Sequence, residues 1–125
     1  MDLHHALTKA RQLAEAGNNE SARLCLLELL KDQPDNQAAL IMLGGTYFVS
    51  DMFAEAEMVF ERLVLLSPDR GQVSIALFNT LWKMGRREEA LEEIKRFMHH
   101  VDHEAEKETI DQYHVITNAI EQGKL

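Results

Sequence analysis

Three histidines in the stretch "RFMHHVDHEAEKE" are the residues whose types and spacing most suggest chemistry. His99 and His103 are four residues apart, so on a continuous helix they would share a face, and two such ligands can begin a zinc site. A closed zinc site needs four ligands, however, and the HExxH arrangement with its intervening glutamate is absent. We therefore expect a solvated cluster and no metal. A metal-dependent enzyme or sensor built on His99, His100 and His103 is the weakest hypothesis.

The single cysteine and a run of carboxylates offer nucleophilic and acid–base groups. Cys25 lies in the nearly all-apolar segment "ARLCLLELL", which we expect to form a helix buried between its neighbours. A buried thiol is therefore predicted, whereas a reactive thiolate needs exposure and a positive neighbourhood. Glu92 and Arg96 are four residues apart and predict an ion pair on a solvated helical face. Neither a phosphate-binding Gly-rich loop nor a Ser-His-Asp arrangement is apparent. The sequence thus predicts no enzyme, no catalytic residue and no cofactor.

Composition limits the class of protein. The chain has 125 residues, a net charge of −8, one cysteine, two prolines and six glycines. This length predicts one domain, and the scarcity of Pro and Gly favours an all-helical fold. The negative charge argues against nucleic-acid binding, which needs clustered Lys and Arg. Because neither a secretory signal nor a membrane-spanning run is recognisable, we expect a cytoplasmic protein without membrane association.

A Pro-Asp pair marks an internal repeat. It occurs in "KDQPDNQAAL" and again in "LLSPDRGQVS", with Pro34 and Pro68 thirty-four residues apart. The same period relates Ala22, Ala56 and Ala90. A fixed period of this length indicates stacked supersecondary units.

Within each repeat the pattern predicts helix, tight turn, helix. Asp35 or Asn36, and Asp69, are suitable N-caps for the helices that follow the prolines. Gly17 and Gly85 suit a left-handed turn inside the first and third repeats. In the second repeat Asp51 stands at that position, and we expect it to adopt the same turn.

These residues give the chain its resemblance to a known family. The middle repeat resembles the tetratricopeptide repeat, with small residues that let paired helices approach closely. The matching positions are Leu40, Leu43, Gly44, Tyr47, Ala56, Phe60 and Pro68. The resemblance implies an all-α, right-handed superhelical solenoid of antiparallel helix pairs, about seven helices in one domain. We place the repeats at 3–36, 37–70 and 71–104, followed by an amphipathic capping helix at 105–122.

The resemblance also implies that the first helix of each repeat lines a concave groove. Ile41 and Phe48 are seven residues apart on one face of such a helix, and Ile75 and Trp82 repeat that spacing. Arg11, Asn79 and Lys83 do not form the Lys and Asn set with which some family members bind C-terminal carboxylates, so that activity is not expected. The predicted partner-binding residues are Leu7, Arg11, Ile41, Phe48, Ile75, Asn79 and Trp82.

An apolar strip of this kind predicts binding of an apolar or amphipathic segment of a partner protein, as in an adaptor or a chaperone. Two alternatives remain open. The strip could be internal core, since a stripe at helical spacing often is. It could also be buried by self-association in a homodimer.

Overall fold

A computed structural model describes residues 2–124, and seven helices account for most of them. No strand occurs within this range, so the predicted all-α class is confirmed. The helices are α1 (Leu3–Glu15), α2 (Asn19–Asp32), α3 (Gln37–Val49), α4 (Phe53–Leu66), α5 (Gly71–Lys83), α6 (Arg87–His100) and α7 (Lys107–Glu121).

The helices form two compact units, unit 1 up to Leu66 and unit 2 from Ser67. In unit 1, α1 packs on α2, α3 packs on both of them, and α4 packs on α3. In unit 2, α5 packs on α6 and also contacts α7. Each unit therefore contains the predicted helix-turn-helix pairs.

The three tight turns share one backbone geometry. Gly17, Asp51 and Gly85 have φ values of 82°, 59° and 76°, as the sequence predicts for left-handed residues. In each turn the next amide returns to the carbonyl five residues earlier, which satisfies a helix C-terminal oxygen. These bonds join Asn18 N to Leu13 O (2.8 Å), Met52 N to Tyr47 O (2.9 Å) and Arg86 N to Leu81 O (3.0 Å).

The predicted helix N-caps are right in one repeat and wrong in the next. Asn36 caps α3, because its Oδ1 accepts the Ala39 amide at 2.9 Å. Asp69 does not cap α5, whose N-cap residue is Arg70. Instead the Glu106 carboxylate accepts the Gly71 amide, so a residue next to α7 stabilises the start of α5. This contact needs glycine, since a Cβ at residue 71 would lie 2.8 Å from Thr109 Cβ.

Small residues allow the helices of unit 1 to pack closely in its core. Ala10 and Ala39 are fully buried with Leu26 and Leu43 in one cluster. Gly44 provides the close approach of α3 to α4, because a Cβ there would lie 2.7 Å from Phe60 Cζ. This is the role that the sequence predicts for Gly44.

The core of unit 2 combines aromatic packing with a buried polar network. Tyr113 is fully buried and meets the rings of Phe78 and Phe97 edge to face, at centroid distances of 5.9 and 5.7 Å. Ser74 Oγ donates to Glu93 Oε2 at 2.6 Å. Its single proton is thereby used, so the Tyr113 hydroxyl, also 2.6 Å away, donates to Ser74. Burial raises the pKa of Tyr113, which keeps this hydroxyl protonated.

The ion pair predicted between Glu92 and Arg96 is wrong. Arg96 Nε instead donates to Glu93 Oε1 at 2.7 Å, and Nη1 donates to the Pro68 carbonyl at 2.8 Å. Glu93 is buried while Glu92 is exposed. The hydrogen bond to Glu93 raises the pKa of Arg96. Both i,i+3 and i,i+4 spacings allow a pair, and burial of Glu93 decides between them.

We expect Gly44→Ala to lower the free energy of unfolding by about 1–3 kcal/mol, because its methyl group overlaps the Phe60 ring. Gly45→Ala is the matched control, since a Cβ at Gly45 meets nothing within 4 Å. Urea denaturation followed by circular dichroism measures both. Equal unfolding midpoints for the two variants would contradict the steric role of Gly44.

Glu93→Gln should destabilise the protein by about 1–3 kcal/mol, because it removes the buried charge that accepts from Arg96 and Ser74. Glu92→Gln, at the neighbouring exposed position, should change stability by less than about 0.5 kcal/mol. Thermal and urea unfolding of the two single variants provide the comparison. A loss of stability in Glu92→Gln and none in Glu93→Gln would refute this assignment.

Candidate protein-binding surfaces

The first candidate surface lies in unit 1 between two first helices, α1 and α3. We call it the α1–α3 depression; its volume is about 300 Å³. Its residues on α3 recur every three or four positions, which places them on one face of the helix. Val49 contributes an apolar side chain that is 66% exposed. The depression is lined by Arg11, Ala14, Glu15, Asn19, Met42, Gly45, Thr46 and Val49.

The predicted groove residues of unit 1 do not all lie in this depression. Arg11 lines it, whereas Leu7 packs against the core cluster. Ile41 and Phe48 are half-buried, and the Phe48 ring meets Phe53 edge to face with centroids 5.3 Å apart. Part of each apolar side chain therefore remains accessible while the rest is held within the protein.

Trp82, the predicted anchor in unit 2, contacts two other side chains. Its ring stacks on Phe78 with a centroid distance of 5.6 Å and an interplanar angle of 20°. The guanidinium of Arg87 lies 4.6 Å from the ring centroid, in a cation–π contact. The side chain is half-buried, so these contacts orient a partly exposed indole.

Phe48 and Trp82 occupy equivalent places in two successive repeats. Each lies near the end of a first helix and contacts a residue at the start of the second helix, Phe53 or Arg87. Phe48 and Trp82 are thirty-four residues apart, and so are Phe53 and Arg87. The same period therefore relates the aromatic residues and their partners. The sequence carries this signal, although the sequence-based prediction used only the aromatic half of it.

Ile75 and Asn79 have different surroundings in unit 2. Ile75 borders a depression of about 500 Å³ between α5 and α7, and most of the other lining side chains are polar. Asn79 is exposed on α5. The depression is lined by Arg70, Gln72, Ile75, Ala105, Glu106, Glu108, Thr109 and Gln112.

A larger depression, of about 740 Å³, lies on α1 and α2 and was not predicted. The expectation that "ARLCLLELL" is buried is wrong in part, because Leu24 is 66% exposed there. Cys25 is half-buried, with its Sγ 3.6 Å from the Ala6 carbonyl. The equivalent of Leu24 one repeat later, Met58, is 72% exposed. The other lining residues are Leu3, Ala6, Lys9, Leu13, Ser21, Glu28, Leu29, Asp32 and Gln33.

The three histidines of the predicted cluster are exposed, at the end of α6 and just after it. Helix α6 ends at His100, so the helical spacing of His99 does not extend to His103. Within residues 2–124 no three His, Cys, Asp or Glu side chains converge as metal ligands. Arg86 donates to Glu89 at 2.9 Å and holds the pKa of that carboxyl below its usual value.

Among the helices of residues 2–124, none combines the length and the apolar character that a membrane span requires.

No family model and no curated protein matches the chain. The structure is similar to that of a MamA mutant, with 25% identity, a TM-score of 0.69, and coverage of 77% of this chain and 70% of that one. A second MamA structure, AMB-1, has the same identity and TM-score, but this chain spans only 52% of its length.

The chain is also similar to the first TPR of Spaghetti (RPAP3), which was solved bound to the HSP90 peptide SRMEEVD. The identity is 21%, the TM-score is 0.73, and the match covers 96% of this chain and 98% of that one. At this identity the match shows the fold alone. The chain therefore has the fold of a tetratricopeptide-repeat domain, as the resemblance of its middle repeat predicts.

Proposed function

We propose that this protein is a noncatalytic protein-interaction module of the cytoplasm that holds an apolar or amphipathic segment of a partner, as an adaptor or a chaperone. The observation that carries the proposal is the repeated, half-buried pair of isoleucine and aromatic residue on α3 and α5. The residues proposed to contact the partner are Leu7, Arg11, Ile41, Phe48, Ile75, Asn79 and Trp82.

The contacts of Trp82 favour a role in binding. An exposed side chain loses rotamer freedom when a partner immobilises it, and this loss opposes association. Phe78 and Arg87 already restrict the indole ring, so less freedom remains to be lost. Tryptophan is also enriched among the residues that dominate interface energy. Trp82 is therefore the proposed anchor of the interface.

The charge of this protein indicates the kind of segment it would hold. The RPAP3 domain shows that a domain of this fold and size can bind a peptide, and that peptide, SRMEEVD, has more acidic than basic residues. The present chain has a net charge of −8 and lacks the carboxylate-binding set of Lys and Asn. A strongly acidic peptide would be repelled by this charge. An amphipathic segment without excess negative charge is the better complement.

Self-association is the second candidate function. It is favoured by the same apolar strip, because the side chains of Ile41, Phe48, Ile75 and Trp82 are only half-buried. A symmetric dimer would cover such side chains without any foreign partner.

Trp82→Ala and Ile41→Gln should each weaken capture of the native partner by about 30-fold or more while helical content is unchanged. Affinity capture from the native host with quantitative mass spectrometry measures the first, and circular dichroism the second. Leu65→Ala, at an 84% exposed position outside the proposed set, is the matched control and should keep the partner. If folded Trp82→Ala and Ile41→Gln still capture the partner, the proposal is refuted. If both variants unfold, the two residues belong to the core and not to a binding surface.

Self-association predicts a dimeric mass, twice 14.3 kDa, in light scattering of the purified protein at high concentration. Trp82→Ala should then shift the mass toward the monomer, because the same strip is buried. A monomer at every concentration would eliminate this second function.

A further inference from the structure

Two adjacent glycines on α3 have opposite steric surroundings. Gly44 is buried, and a Cβ there would overlap the Phe60 ring. Gly45 is half-buried, and a Cβ there would meet nothing within 4 Å. Packing within the described residues therefore requires glycine at 44 but not at 45.

Gly45 weakens the helix that contains it. Glycine in a helix interior is less favourable than alanine, because it loses more backbone freedom on folding. Gly45 lies well inside α3 and does not have a positive φ. Neither a turn nor an internal contact explains it. The missing side chain at Gly45 instead leaves open space on the outer surface of α3.

The open space above Gly45 belongs to the α1–α3 depression. Met42 and Val49 flank Gly45 on the same face of α3, and Ala14 lines the depression from α1. The small residues Ala14 and Gly45 leave space between α1 and α3. The larger apolar side chains of Met42 and Val49 line the same space. The volume of about 300 Å³ is at the lower end of ligand sites, so it suits one large apolar side chain.

The rim of the depression carries one charge of each sign. Arg11 and Glu15 lie one turn apart on α1 and both line the depression. Within the described residues, neither side chain makes a hydrogen bond or ion pair. A partner segment with a carboxylate and an ammonium group near its apolar side chain would complement both charges.

We propose that the α1–α3 depression receives one leucine-sized or larger apolar side chain from an amphipathic helix of a partner protein, seated on Gly45. A carboxylate and an ammonium group flanking that side chain pair with Arg11 and Glu15. A helix is favoured over an extended peptide because its main-chain groups are already paired, and the depression offers them few polar partners. This inference rests on the proposed function and names the partner chemistry for one part of the surface.

The probe is an alanine-based helical peptide of about 18 residues with one central leucine, and a glutamate and a lysine one turn to either side. Two matched peptides replace the leucine with alanine, or both charged residues with glutamine. Binding to the 125-residue chain is followed by amide NMR shifts, because the Gly45 amide reports directly on its own site.

The leucine peptide should shift the amides of Met42, Gly45 and Val49, and the alanine peptide should bind at least tenfold more weakly. The glutamine peptide should bind more weakly than the leucine peptide at low salt, and this difference should shrink as salt increases. Equal binding of the leucine and alanine peptides would overturn the inference. So would the absence of any shift.

Gly45→Ala separates binding from folding. Its melting temperature should be unchanged or raised by about 3 °C, while affinity for the leucine peptide falls at least tenfold because the added methyl group raises the bottom of the depression. Gly44→Ala, by contrast, should lower the melting temperature. A loss of stability in Gly45→Ala, or unchanged affinity in that variant, would overturn the inference.

Failure of this inference is distinguishable from failure of the proposed function. Peptide-induced shifts confined to Ile41, Phe48 or Trp82 would overturn the role of Gly45 and would support binding through the predicted strip. Loss of the native partner in Trp82→Ala but not in Gly45→Ala would lead to the same conclusion with the natural ligand.

Discussion

Close approach of helices at residues with little or no side chain is the constraint on which the rest of this structure depends. Ala22, Ala56 and Ala90 recur at one period and are all fully buried. Gly44 lets the Phe60 ring lie directly against α3. Because the interior is packed to crystal-like density, a methyl group added at such a place has no free volume to enter. The second helix of each pair is thereby fixed, and the opposite face of the first helix is left for other contacts.

Unit 2 fixes its last helix by a different kind of interaction. Tyr113 on α7 joins the aromatic cluster of Phe78 and Phe97, and its hydroxyl donates to Ser74, which in turn donates to Glu93. A buried polar network is favourable only when every member has its partner. No buried side-chain nitrogen or oxygen within the described residues lacks one. The network thus specifies where α7 docks, beyond what apolar packing alone would do.

The exposed surface reflects the same arrangement. Since the small residues face the paired helix, the apolar side chains that remain, such as Phe48 and Trp82, are only half-buried and are oriented by their neighbours. Oriented apolar groups lose little freedom when a partner covers them. The hydroxyl and carboxyl groups at the centre of unit 2, by contrast, are occupied with one another.

The sequence by itself determined the helices, the turns and the repeat. These follow from local causes: the period of apolar residues, the left-handed preference of Gly17 and Gly85, and the capping oxygen of Asn36 act within a few residues. Even Asp51 was predictable in this way, because it stands where its neighbours in the other repeats have glycine. The resemblance of the middle repeat to a known family supplied the fold in the same manner.

Only the tertiary structure decided which side chains meet. Glu106 caps α5 at Gly71, although the two residues are thirty-five positions apart in the sequence. No local sequence rule applies at that separation. Arg96 pairs with Glu93 rather than Glu92, because Glu93 is buried and also accepts a hydrogen bond from Ser74 of α5. Leu24 is exposed because no described helix covers the outer face of α1 and α2. Likewise, the sequence does not distinguish Gly44 from Gly45, and the difference arises only when α4 places Phe60 against one of them. Burial and long-range contact depend on where other helices lie, and helical period does not encode that.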